Sequence, residues 1–237
     1  MKTYLAAGFL LLSSICILIT LYGVHRASKK AGMGNKPLLY TSLGILAWLT
    51  FITIASLSGF LMHFGLPPRM IMVLMIPLIL MLWLSLSGRL DTLLTAIPPH
   101  QILYFQSFRI AVEVLLLGMV TAQLLPVQMS WEGMNYDVLS GVLGLVAGFV
   151  VSRSKEVPLG IMLGYNIIGM LLLLTIVTIA ILSMPTAIRY FQNEPSNTIV
   201  ATFPFVYLPG VLVVLAYSLH ILSFRQIGLL RRQRRTA

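Results

Sequence analysis

Seven stretches of predominantly apolar residues run through this chain, most of them near the ~20 residues a helix needs to cross a bilayer. They are Tyr4–Val24, Leu38–Met62, Ile71–Ser87, Ile102–Leu125, Asp137–Val151, Pro158–Leu182 and Ile199–Leu222. The connections between them are short and leave no space for a soluble domain. Composition closes the other route: 58% of residues are hydrophobic and only 9% charged, too few charges to coat a water-soluble surface. The sequence therefore predicts an all-α polytopic membrane protein, a single seven-helix bundle over residues 1–237 with a basic tail at 223–237. The fifth stretch is short, about 22 Å at 1.5 Å per residue, so the chain there either starts earlier or thins the bilayer.

The sixteen Lys and Arg residues orient the bundle. One alternate set of connections holds Arg26, Lys29, Lys30, Lys36, Arg89, Arg153, Lys155, Arg225, Arg231, Arg232, Arg234 and Arg235, twelve in all. The opposite set holds Lys2, Arg69 and Arg189, and Arg109 lies within a stretch. Positive residues collect in cytoplasmic loops, so the N-terminus is predicted outside and the C-terminus inside. The formal charge of +10 is thus a topological signal and implies no nucleic-acid partner. Residues 1–24 exceed the usual signal-peptide core and precede the main positive cluster, which predicts a retained anchor. Leu90, Leu93, Leu94 and Ile97, ended by Pro98-Pro99, predict a short helix on the inner surface. The arginines of the tail suit a topological anchor or contact with anionic headgroups.

Charged groups in hydrocarbon each cost several kcal/mol unless paired or hydrated, so they mark sites. Arg109 and Glu113 are the two deep ones, four residues apart and able to pair on one helix face. Gln106 extends their stripe. Measured from Ile102, Arg109 lies about 10 Å and Glu113 about 16 Å deep, and Asn166 about 12 Å deep from the same side. With Tyr217 and His220 of the seventh stretch, these residues are predicted to line a polar pocket in the inner half of the bundle. A small polar solute or ion is the expected occupant, with Arg109 holding an anionic group or pairing Glu113, and Glu113 able to accept a proton. The rival is an intramembrane enzyme using His220 and Glu113 on a lipid or quinone-like substrate, and a third reading is an assembly or sensor subunit. On the other side, Glu132, Asn135 and Asp137 are expected to form an outer acidic mouth, either weakly cation-binding or a solvated turn with Asp137 at a helix N-terminus.

Other patterns set bounds. Gly141, Gly144 and Gly148 share a face, and Gly160 with Gly164 repeats the spacing used for close helix approach. Pro204 and Pro209-Gly210 should kink or unwind the outer half of the seventh stretch. His25, His63, His100 and His220 form no helical metal pair, and the single cysteine, Cys16, allows no internal disulfide. No lysine occurs within the seventh stretch and no GxSxG within the chain. The sequence does not identify a cofactor.

Four segments carry a family resemblance: Phe108–Glu113 (FRIAVE), Met129–Asp137 (MSWEGMNYD), Tyr165–Gly169 (YNIIG), and Phe205–Gly210 (FVYLPG) followed by Tyr217–His220 (YSLH). They resemble a family of uncharacterised seven-span bacterial inner-membrane proteins. The resemblance implies a bacterial cytoplasmic membrane, and it brings no known activity.

Overall fold

The computed structural model describes residues 1–236, and among these the chain is all-helical, with no strand. The α-helices are α1 (Lys2–Lys30), α2 (Lys36–Leu57), α3 (Met70–Leu86), α4 (Asp91–Ala96), α5 (Pro99–Phe105), α6 (Phe108–Thr121), α7 (Val138–Arg153), α8 (Leu159–Leu182) and α9 (Val214–Thr236). Five helical stretches are long and apolar enough to cross a membrane: α1, α2, the α5–α6 pair, α8, and α9 with the π-helical turn Leu208–Val213 that leads into it. The apolar helices α3 and α7 are shorter.

The irregular places follow from the sequence. Pro99 opens α5 at the first helical turn, where its missing N–H costs nothing. The apolar stretch from Ile102 breaks at Gln106 and Ser107, so it is two helices and not one. Between Ile199 and Val213 the chain makes a 3-10 turn, a run of turns and the π turn, in keeping with Pro204 and with Pro209, which has no N–H to continue a ladder. Backbone polar groups within a bundle must find internal partners, and α2 supplies them here. Trp48 Nε1 donates to Gly210 O at 2.8 Å, Ser56 Oγ donates to Ala201 O at 2.9 Å, and the Thr53 hydroxyl meets Tyr207 OH at 3.0 Å.

The π turn with α9 is the axle of the bundle. Its apolar window is 61% buried, against 17% for α1 and 11% for α2. Helices α3, α4, α5 and α8 pack on α9, while α1 packs on the π turn and on α6. The outward faces carry Leu11, Leu18, Ile54, Ile79, Leu171 and Leu174, all exposed, a surface suited to hydrocarbon and not to water. Helix α7 lies against α5 and α6 through its glycines. A Cβ on Gly141 would sit 2.7 Å from the Ile110 side chain, on Gly144 2.9 Å from Leu103 O, and on Gly148 2.7 Å from the Tyr104 ring. Gly160 and Gly164 differ from this, since a Cβ on either would meet no atom of another element within 4 Å; their spacing serves no close approach within the chain.

The short amphipathic stretch before Pro98 is α4, docked on α1 and α9. Asp91 takes a two-pronged contact from Arg225 at 2.7 and 2.6 Å, and Gln226 Nε2 donates to Leu94 O at 2.9 Å and Ile97 O at 2.7 Å. The Arg225 guanidinium holds the Asp91 carboxyl below its ordinary range, chiefly by these hydrogen bonds. The arginines of the tail continue α9 as an exposed helix end, and Arg234 donates to Val157 O at 2.6 Å.

Candidate functional site

Arg109 begins α6 immediately after the helix break, facing the start of α7. All five of its N–H groups are directed at protein acceptors. Nε donates to Asp137 Oδ2 at 2.7 Å, and Nη2 donates to Asp137 Oδ1 and to Gly169 O at 3.4 Å. Nη1 donates to Ser140 Oγ at 2.6 Å and to His220 Nε2 at 2.9 Å. The expected partner, Glu113, is not used. A guanidinium fork fits a carboxylate that faces it in plane, and Asp137 comes across from α7 to do so, whereas Glu113 rises from the same helix. Asp137 stands at the N-terminus of α7, where the helix dipole favours its charge. Its oxygens go to Arg109, so it makes no side-chain cap.

His220 is fixed from both sides. Asn166 Nδ2 donates to Met162 O and to Ser223 Oγ, each at 2.7 Å, which leaves its Oδ1 to accept from His220 Nδ1 at 2.9 Å. Nε2 then carries the lone pair that receives Arg109, so the imidazole is the neutral Nδ1–H tautomer. The Tyr165 ring lies 5.6 Å from the imidazole, centroid to centroid, and its hydroxyl donates to Ser140 O at 3.3 Å. A Cβ on Gly169 would come within 2.5 Å of His220 Cε1 and 2.8 Å of Ser140 Oγ. Only glycine admits this crossing of α8 by the network.

The segment after α6 folds back into the bundle. Asn135 is 1% exposed and Asp137 7%, and the segment is non-helical apart from a 3-10 turn at Val127–Met129. Asn135 Nδ2 donates to Glu113 Oε1 and to Met129 O at 3.1 Å, and its Oδ1 accepts from the Asp137 N–H at 3.0 Å. The expected outer acidic mouth is therefore divided. Glu132 is exposed, while Asn135 and Asp137 turn inward to meet Glu113 and Arg109. The inner and outer polar groups read from sequence are largely one network. Gln106 borders it, donating to Ala216 O at 3.2 Å. Tyr217 leaves it, since its hydroxyl donates to Leu74 O on α3 at 3.0 Å.

Beside the network lies a cavity of about 80 Å³ between α3, α6, α8 and the start of α9. Its wall is apolar, including Leu74, Val112, Leu173 and Leu212, except where Arg109, Glu113, Asp137 and Asn197 reach it. Six buried side-chain atoms find no hydrogen-bond partner among the described residues, and of these only Glu113 Oε2 and Asn197 Oδ1 belong to residues that line the cavity. A buried acceptor without a partner is costly, so these two atoms mark where a ligand's polar group would sit. Glu113 is eight residues, about 12 Å, from the end of α6, against about 21 Å from Pro99. The cavity thus lies in the half of the bundle remote from the C-terminal arginines, not the half beside them as the sequence predicted. With both carboxylates ionised, Arg109, Asp137 and Glu113 sum to one negative charge.

Ser140, Gly169, Ser223 and Asn197 were not among the residues singled out as binding. Gly169 closes one of the resembling segments, and the others gave no signal, because a lone Ser or Asn in an apolar run ordinarily serves as helix–helix glue. Among the described residues no group of three or more His, Cys, Asp or Glu side chains is placed to hold a metal ion. A family model described as a domain of unknown function (DUF8737) matches residues 66–228. That span begins just before α3 and includes the whole network and cavity. No curated protein and no solved structure matches the chain.

Proposed function

The chain belongs to the DUF8737 family, and from that premise we propose that it is a multi-pass protein of the bacterial cytoplasmic membrane that binds, or passes, a small solute or ion in the cavity beside Glu113. It crosses seven times, α3 and α7 being the two short spans, with its N-terminus outside and its basic end in the cytoplasm, as the distribution of Lys and Arg favours. The observation that carries the reading is the free oxygen of Glu113. It is buried and its residue lines the cavity, and when Glu113 is ionised it leaves the cluster with Arg109 and Asp137 one negative charge in excess. A proton or a positively charged group on that oxygen would cancel the excess, so Glu113 is the group that exchanges charge with the occupant. Arg109 has no N–H to spare; it positions Asp137 and His220 and does not hold an anionic solute. The test is uptake or proton movement in proteoliposomes. Glu113→Gln should abolish it while the variant stays folded; activity retained in that variant refutes the reading.

A second reading, a non-catalytic assembly or sensor subunit, draws support from the saturation of Arg109 and His220. It predicts that Glu113→Gln changes thermal stability alone and that a partner co-purifies. An enzyme using His220 as acid or base would first have to break its bonds to Asn166 and Arg109, and is the least favoured.

A further inference from the structure

The residues that rim the cavity say from where it is reached. The innermost ones, Glu113, Asn197, Leu173, Leu212 and Ala216, are buried, whereas Ile71 on α3, Ile176, Val177 and Ile181 on α8, and Val213 are only half-buried. Helices α3 and α8 both pack on α9 but scarcely touch each other. The mouth is therefore the cleft between α3 and α8. The two helices that flank it are apolar, and their exposed residues include Met75, Ile76 and Ile79 on α3 and Leu171 and Leu174 on α8. Such flanks face hydrocarbon in a membrane.

The chemistry of the closed end is one-sided. The two unpartnered atoms are both acceptors, a carboxylate oxygen and an amide oxygen, and the neighbouring guanidinium has no donor left over. A carboxylate or phosphate group finds no spare guanidinium donor there, and an ionised Glu113 repels it. A protonated primary amine supplies up to three donors and one positive charge. The size is also restrictive. At about 10–15 Å³ for each water-sized sphere, a cavity of about 80 Å³ takes about five to eight such spheres, room for a short unbranched chain and not for a bulky headgroup.

On the reading that this cavity binds a solute at Glu113, we propose that it admits from the hydrocarbon phase, through the α3–α8 cleft, the primary ammonium end of a slim alkyl amphiphile, received by Glu113, with Asn197 a second acceptor on the cavity wall. The alkyl chain lies along Leu173, Val177 and Leu212 and leaves by the mouth.

The test is photolabelling of the full chain in nanodiscs with a diazirine-bearing long-chain alkylamine, with the matching carboxylic acid as control, followed by peptide mapping. Labelling by the amine should fall on the C-terminal part of α8 and the first turn of α3, and should drop at least tenfold in Glu113→Gln. It should drop equally in Val177→Trp, which blocks the mouth without touching the polar network. The acid should label these segments at background. Methylammonium, an amine without a tail, separates the two levels of the claim. If Glu113-dependent methylammonium binding persists while alkylamine labelling ignores both substitutions, access from lipid is overturned and the solute site stands. If neither amine responds to Glu113→Gln, both are overturned. Should Glu113→Gln fail to fold, Val177→Trp decides alone: unchanged alkylamine labelling refutes the cleft.

Discussion

Removing Asp137 tests the electrostatic organisation of the bundle most directly. In Asp137→Ala the guanidinium of Arg109, 2% exposed, loses its only carboxylate partner, and stranding a buried charge in this way costs about 3–5 kcal/mol. Arg109→Met strands the Asp137 carboxylate instead, a loss of the same size, and additionally deprives Ser140, Gly169 and His220 of a donor, at about 1 kcal/mol for each bond. The double variant Arg109→Met/Asp137→Ala strands neither charge. Its cost should therefore approach that of one single substitution and not the sum, which gives a coupling of about 3 kcal/mol. The assay is reversible unfolding in mixed micelles, read by helix content, on the four members of the cycle. The parallel cycle with Glu113→Ala should show coupling below about 1 kcal/mol, because Arg109 and Glu113 share no hydrogen bond and Asp137 already neutralises the guanidinium. Additive effects for 109 with 137, or stronger coupling for 109 with 113, would refute this assignment of partners.

Two further outcomes follow from the same geometry. Gly169→Ala should destabilise the fold by about 1–3 kcal/mol through overpacking, since its Cβ would lie 2.5 Å from His220 Cε1; a thermal melt within 1 °C of the parent would contradict the close crossing. Asp91→Asn should cost about 0.5–1 kcal/mol at neutral pH, as expected for a partly exposed two-pronged ion pair. The Asp91 carboxyl is depressed in the folded state, so its contribution is complete above the unfolded value near ~3.9 and is lost as pH falls through the folded one. The stability gap between parent and Asp91→Asn should accordingly close on acidification and not on alkalinisation, which unfolding at a series of pH values checks.

Sequence patterns made the apolar elements legible because membrane helices announce themselves by length and polarity alone. Arg109, Glu113, Asn166 and His220 were visible for a related reason: a polar residue inside an apolar stretch stands out. What the sequence did not disclose was pairing. Spacing makes Glu113 the natural neighbour of Arg109, and nothing in the string says that the segment after Thr121 returns to bring Asp137 to the guanidinium instead. The same turn hides Asn135 and Asp137, which resemble solvated loop residues until the backbone is seen to re-enter. Tyr217 illustrates the opposite error. Three residues from His220, it lies near the same face, but its hydroxyl is long enough to reach Leu74 O on another helix. The depth of the pocket was misplaced because the starting point was Ile102, whereas the cavity's mouth is set by where α3 begins and α8 ends.

The break in α5–α6, the re-entrant segment before α7 and the π turn before α9 have one consequence in common. A regular helix consumes its own backbone donors and acceptors, and its side chains leave at fixed angles. An interruption frees carbonyls and lets the chain aim a side chain where a helix could not. At membrane depth such interruptions persist only if other groups satisfy them. Here α2 does so for the segment before α9, through Trp48 and Ser56, although it lies outside the matched span of residues 66–228. The polar network does so for the re-entrant segment, through Asn135, which donates to Met129 O and accepts from the Asp137 N–H. With the surrounding backbone satisfied in this way, Glu113 Oε2 and Asn197 Oδ1, without a donor at the closed end of an apolar cavity, are not accounted for by the upkeep of the fold. The expense of leaving them so is the physical ground for assigning them to a ligand.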